Sequence, residues 1–156
     1  MSTKQNVLNE MARILDKIKA LELTDSKVWQ KPIAEGKFSK AAILSHLMYW
    51  DYFLIQVAIP DIYRKNEIVF PDHDDKNELA SIYAKLISKE QLLGEFKEVR
   101  EKLIMFVRYL PTKVLEKEIK VNDATHCPRT KQPYTLEYIL EEFVQHDDHH
   151  VKQLVG

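Results

Sequence analysis

The sequence contains six histidines, and three of them lie in the segment QHDDHH near its end. Successive residues of an α-helix are rotated by about 100°, so His146 and His150 share one face, a single turn apart. Two imidazoles at this spacing can bind the same metal ion, as they do in other helix-borne zinc sites. His149 is rotated away from that face, so we expect it to point toward solvent and not to be a ligand.

His46 is the candidate for a third ligand, because it lies in a stripe that would face the protein core. The other members of the stripe are apolar or aromatic: Ala42, Ile43, Tyr49, Trp50, Phe53 and Val57. Burying an imidazole without a partner costs about 1–3 kcal/mol, so His46 needs one. Taken alone, a core histidine is more often satisfied by a carbonyl or water. Together with the pair at His146 and His150, however, it indicates a divalent metal site.

Four long helical patterns form the framework that would position these histidines. They cover residues 5–22, Ser39 to about Ala58 with a stop at Pro60, Ser88 to about Tyr109, and Thr135 to Leu154. Ser88 and Gln91 have the spacing of a capping box. Short helices at 78–87 and 112–120 and loops at 60–77 and 121–134 would connect them, with an extended piece at Ile68 to Phe70. The prediction is an all-α four-helix bundle with extra helical turns, forming one domain over residues 1–156.

Composition argues against several classes of partner. The net charge is −1, from 23 basic and 24 acidic residues, and no basic cluster suggests nucleic-acid binding. The most apolar window, 41–60, contains His46, Asp51 and Gln56, so we do not expect a membrane span. Cys127 is the single cysteine, which excludes an internal disulfide and fits a reducing, cytoplasmic location.

The segment FSKAAILSHLMYWD, followed near the end by QHDDHHVKQL, resembles the DinB/YfiT-like family. His46 matches the family's first metal histidine, His146 and His150 match the pair on its last helix, and Gln153 matches the trailing glutamine. The family's aromatic-serine pair appears as FS at 38–39. The segment SKEQLLGEFKEVREKL is similar to the third long helix, where an arginine is common at the position of Arg100.

This resemblance implies a four-helix bundle, frequently dimeric, with a zinc or nickel ion held by His46, His146 and His150. Some members resemble metal-dependent hydrolases, and others transfer bacillithiol or mycothiol onto electrophiles. Three neutral imidazoles would leave an open coordination position, as in catalytic sites. We therefore expect a homodimeric metal-dependent enzyme that acts on a small molecule, with transfer of a low-molecular-weight thiol favoured over hydrolysis.

Four further residues are candidates for the surroundings of this site. Tyr49 and Trp50 could line a pocket, although aromatic residues at helical spacing are more often part of the core. Gln153 and Asp147 could orient a ligand histidine, although a solvated aspartate is the more common situation.

Three residues with reactive side chains are predicted to lie outside the site. His73 falls in an acidic segment, PDHDDK, which is typical of a solvated loop. His126 and Cys127 are placed on the second loop. Two other interpretations of the histidines stay open: a non-catalytic, metal-stabilised bundle that serves as a stress-related sensor or interaction protein, and a bundle in which the histidines only hydrogen bond.

Overall fold

A computed structural model describes residues 2–155, and α-helices make up most of that range. The helices are α1 (Thr3–Ile18), α2 (Ser26–Trp29), α3 (Lys40–Phe53), α4 (Ile59–Lys65), α5 (His73–Leu86), α6 (Lys89–Tyr109), α7 (Thr112–Glu116) and α8 (Leu136–Val155). A 3-10 turn (Lys19–Leu23) extends α1, and a π turn (Leu54–Ala58) joins α3 to α4. Two short strands, β1 (Glu67–Ile68) and β2 (Lys120–Val121), pair in parallel.

The four long helices α1, α3, α6 and α8 pack against one another as the predicted four-helix bundle. Within the bundle, α3 packs mainly against α6 and the additional helix α5, whereas α8 packs mainly against α1. The helices that carry the candidate ligands, α3 and α8, therefore share a smaller interface with each other than with their main neighbours α5, α6 and α1.

Polar side chains begin the long helices where the sequence predicted. The Ser39 hydroxyl accepts a hydrogen bond from the backbone N–H of Ala42 at the start of α3. The capping box of Ser88 and Gln91 is present at the start of α6. At the start of α8 the Thr135 hydroxyl accepts from the N–H of Tyr138. Each cap satisfies a backbone donor that has no partner within the helix.

The predicted end of the second helix at Pro60 is wrong. The chain stays helical through the π turn and α4. This helical run ends at Asn66, whose φ of 61° is left-handed. Pro60 lies in the first turn of α4, where its missing N–H matters least, and the wider π turn directly before it changes the hydrogen-bond register. The rule that proline ends a helix therefore fails here.

The predicted loop at 60–77 is also largely structured. Ile68, in β1, pairs with Val121 in β2, and α5 begins at His73 instead of residue 78. The Asp72 carboxylate caps α5 by accepting from the N–H of Asp75. Acidic residues stabilise the positive end of a helix, so the acidic cluster that resembled a solvated loop is the start of α5.

The continuous helical run Lys40–Lys65 is long and apolar enough to cross a membrane by length and composition alone. However, 61% of its most apolar 18-residue window is buried within the protein. Core helices of helical bundles pass the same test, so the length of this run is not by itself evidence for a membrane span.

The interior contains two clusters of apolar side chains with a polar layer between them. On α6, for example, Val99 belongs to one cluster and Leu103 to the other, and on α8 Val151 and Val144 are divided in the same way. This layer contains the buried charged residues Asp51, Arg100 and Asp147. The candidate ligands on α3 and α8 lie within two helical turns of these residues.

Candidate metal centre

The three predicted ligands lie together in the structure. The closest ligand nitrogens of His46, His146 and His150 all lie within 4.8 Å of one another. The ring centroid of His150 is 4.8 Å from that of His46 and 4.6 Å from that of His146. His46 and His150 are half-buried, and His146 is exposed. His149 is exposed as expected and does not belong to this group.

His46 has one ring nitrogen with a partner and one without. Its Nδ1 lies 2.5 Å from Oδ1 of Asn77, and an amide oxygen can only accept, so Nδ1 carries the proton. Nε2 then carries a lone pair, which is buried and has no hydrogen-bond partner among residues 2–155. Leaving a buried acceptor unsatisfied costs about 1–3 kcal/mol, so this atom needs a ligand from outside the chain.

His150 is held in the same tautomer by a different residue. Its Nδ1 lies 2.8 Å from Oε1 of Gln153, which leaves Nε2 with a lone pair on the side of the cluster. A carbonyl or amide oxygen behind each ligand imidazole is the usual support of a metal-bound histidine. The donor set and its supports therefore fit a divalent metal ion.

Asn77 is the residue of this site that the sequence did not reveal. It lies on α5, in a segment that was predicted to be the end of a loop, and no histidine motif points to it. Its Oδ1 also accepts from the indole Nε1 of Trp50, at 3.4 Å, so it connects His46 to the aromatic neighbour.

Trp50 forms one wall of the site, and it brings His73 close to it. The Trp50 ring centroid lies 6.3 Å from that of His46 and 4.9 Å from that of His73. His73 is exposed, as expected, but its prediction as a residue of a solvated loop is wrong, because it is the first residue of α5. Phe70 contacts both Trp50 and His73.

Tyr49, the other aromatic candidate, is placed differently. Its ring lies 5.9 Å from that of Tyr83, and the Nζ of Lys76 lies 5.9 Å from its centroid. These contacts join α3 to α5 and contribute to packing between the two helices.

Asp147 is neither solvated nor bonded to a ligand histidine in the contacts described. It is 2% exposed, and its Oδ2 accepts from Nη2 of the fully buried Arg100 at 2.6 Å. Arg100 also donates from Nε and Nη2 to the two carboxylate oxygens of Asp51, at 2.7 and 2.9 Å. In the sequence, Asp51 lies in the apolar face of α3. A charged residue at such a position indicates that a buried partner of opposite charge must exist.

Burial and charge act in opposite directions on this triad. Burial raises the pKa of Asp147 to about 7, while the positive charge of Arg100 counteracts the rise. The pKa of Asp51 is raised for the same reason, again against the influence of Arg100. One guanidinium is thus shared between two buried carboxyl groups.

The three candidate ligands are neutral near pH 7, as metal binding requires. Burial is the main cause that lowers the pKa of His46 to about 4, and the nearby His150 and His146 add to it. Burial also lowers the pKa values of His146 and His150. His73 makes the smallest contribution to the lowered pKa values of His46 and His146.

His126 and Cys127, which the sequence placed outside the site, lie outside the three-histidine cluster. His126 is exposed and contacts the hydroxyl of Thr125 at 2.9 Å. Cys127 is buried, and hydrogen bonds from Tyr138 and Thr130 lower its pKa to about 6. The sequence offered only the neighbouring His126 as an influence on this thiol.

Comparison with known proteins identifies the family. The model of the DinB superfamily matches residues 10–154, so the chain belongs to this superfamily, as its motifs predicted. A solved structure described as "YfiT from Bacillus subtilis is a probable metal-dependent hydrolase with an unusual four-helix bundle topology" has the same fold. It matches with a TM-score of 0.73 and 18% identity, over 97% of this chain and 83% of that one. No curated protein matches the chain in sequence.

The lowered pKa of His46 predicts how the metal-free protein responds to acid. An ordinary histidine has a pKa of 6.5, so between pH 6.5 and about 4 the unfolded chain takes up a proton at His46 that the folded protein does not. Stability should therefore fall as the pH decreases through this window, by up to roughly 3 kcal/mol from this residue. Above pH 6.5 His46 should contribute no pH dependence.

Urea unfolding of His46→Gln, in the presence of a chelator and at a series of pH values, measures this contribution. The slope of stability against pH should be smaller than in the wild type, and His149→Gln, outside the cluster, is the matched control. Equal slopes for the wild type and His46→Gln would contradict the assignment.

Proposed function

We propose that this member of the DinB superfamily is a divalent-metal-dependent enzyme that acts on a small molecule. The observation that carries the proposal is the unpartnered, buried Nε2 of His46, together with the three histidine ligand nitrogens that lie within 4.8 Å of one another. The relative of similar fold is itself described as a probable metal-dependent hydrolase. Three neutral nitrogen donors from two helices are a donor set that zinc and nickel both accept.

The residues around the cluster have separate tasks in this proposal. Asn77 and Gln153 accept hydrogen bonds from the Nδ1–H groups of His46 and His150, which leaves both Nε2 atoms free to hold a metal ion. Trp50 excludes water from one side of the site. A bound ion with an open position would act as a Lewis acid and lower the pKa of a coordinated water or thiol.

Two reactions are compatible with such a site, and we favour thiol transfer. In it, a low-molecular-weight thiol of the bacillithiol type loses its proton, its sulfur bonds to the electrophile, and the leaving group departs with the bonding electrons. The support is the resemblance to family members that transfer bacillithiol or mycothiol. Hydrolysis, with water in place of the thiol, is the alternative.

We also propose that the protein is a cytoplasmic homodimer without a nucleic-acid or membrane partner. The single cysteine supports the location, and the net charge of −1 without a basic cluster argues against a nucleic-acid partner. The homodimer rests on the resemblance to a family whose members are frequently dimeric.

Elemental analysis of tag-free protein tests metal binding directly. We expect near-stoichiometric zinc or nickel in the wild type and its loss in His46→Ala and in His150→Ala, because each variant removes one of three donors. The matched control, His149→Ala, should keep the metal, because this neighbouring histidine is exposed and outside the cluster. Absence of metal from the wild type after incubation with both ions would overturn the proposal.

Cobalt substitution tests whether the site is open. Addition of cyanide or of a small thiol should change the visible spectrum of the cobalt protein, because an open position can accept the added ligand. An unchanged spectrum would mean a closed site and a non-catalytic, metal-stabilised bundle. A spectral change would justify a screen that pairs thiols with electrophiles and, separately, tests hydrolysable substrates.

Asn77→Ala should weaken zinc binding by roughly tenfold to a hundredfold, since it removes the acceptor that orients His46. Competition with a chromophoric chelator measures the affinity. Gln145→Ala, at an exposed position of α8, is the matched control and should bind like the wild type. An unchanged affinity in Asn77→Ala would show that packing alone orients His46.

A further inference from the structure

We infer that Arg100 is the positioning residue of the metal site. Its guanidinium joins the helix that carries His46 to the helix that carries His146 and His150, and it holds the three imidazoles near ligand distance before a metal binds. This inference rests on the proposed metal binding and adds a residue that does not touch the metal.

The hydrogen bonds of Arg100 connect α3 and α8, the two helices that carry the candidate ligands. From α6 it donates to both carboxylate oxygens of Asp51 on α3 and to Asp147 on α8. Asp147 directly follows His146, and Asp51 follows His46 by five positions, which is about one and a half helical turns. The Phe96 and Phe143 rings lie 5.1 and 5.8 Å from the guanidinium carbon and pack around it.

This connection matters because α3 and α8 are weakly joined by direct packing. α3 packs mainly against α5 and α6, and α8 packs mainly against α1. The distance between His46 and His150 is therefore set largely through intermediate elements. Arg100, on α6, is an intermediate that bonds to both helices, next to His146 on α8 and about one and a half turns from His46 on α3.

Directional bonds fix this distance more sharply than apolar contacts can. Apolar side chains at a helix interface tolerate small sliding movements, whereas a forked guanidinium requires its carboxylates at a set distance and angle. On α3, α6 and α8 alike, the triad lies between the two apolar clusters. Slippage of one helix would move a carboxylate out of the polar layer and into an apolar cluster.

The cost of burying these charges also points to a role other than stability. Replacing a buried ion triad by apolar residues is often neutral or stabilising, so a triad of this kind is weak evidence for stabilisation. Arg100 even leaves Nη1 buried without a partner among residues 2–155. A site whose ligands are already in place avoids the cost of ordering them when the metal binds.

The test compares zinc affinity with folding in a triple variant, Asp51→Ala with Arg100→Met and Asp147→Ala. It removes all three charges together, so no buried charge is left unpaired. We expect a helical protein that melts cooperatively but binds zinc at least tenfold more weakly, with an altered visible spectrum after cobalt substitution. Wild-type affinity together with a wild-type cobalt spectrum would overturn the inference.

A single variant covers the case in which the triple variant fails to fold. Arg100→Lys keeps the charge but cannot bond to both carboxylates in a forked geometry. It should also lose at least tenfold in zinc affinity, and wild-type affinity would overturn the inference.

Leu103→Ala separates positioning from general destabilisation. Leu103 lies on the same helix and is fully buried, but it does not contact the triad through hydrogen bonds. This control should melt at a lower temperature and keep wild-type zinc affinity and the wild-type cobalt spectrum. If the wild type does not bind zinc, the proposed function is wrong. If the wild type and the Arg100 variants bind zinc equally well, only the inference about Arg100 is wrong.

Discussion

A layer of polar side chains crosses the apolar interior of this bundle, and the other features of the site depend on how its members find partners. Arg100 satisfies Asp51 and Asp147, and Asn77 satisfies one nitrogen of His46. The charged groups and the Nε2 atom of His46 are buried, so each unmet donor or acceptor among them is costly. The Nε2 of His46 is the acceptor that the chain leaves open on the side of the other histidines.

The same layer explains why the site can be formed from distant parts of the sequence. His46 and His150 are brought together across α3 and α8, and neither helix depends mainly on the other for its packing. A metal ion could pull such helices together, but an unsupported site would then have to be ordered during binding. The buried triad and the amide supports reduce that requirement, so the bound and metal-free proteins should differ little around the histidines.

The aromatic neighbours combine packing and function. Trp50 packs against the apolar cluster that contains Leu103, and its ring makes edge-type contacts with the rings of His46 and His73. Its indole N–H donates to Oδ1 of Asn77, which also accepts from His46. A wall of this type excludes water from one side of the ion, which strengthens electrostatic effects at the open position. His146, by contrast, is exposed to solvent.

The sequence by itself determined the helices, their caps and the two halves of the ligand set, because these depend on local periodicity and on short polar motifs. The i, i+4 spacing places His146 and His150 on one face in any helix, and the Ser88 capping box needs only its own four residues. Two predictions from local sequence were wrong. The helix continues past Pro60 because a π turn precedes it, and the acidic residues predicted to form a loop begin α5, where the helix dipole favours negative charge. Only the tertiary structure decided that Asn77 bonds to His46, that His73 packs against Trp50, and that Arg100 joins α3 to α8. Their partners lie on other helices, and a single sequence does not show which helices meet at the same level of the bundle.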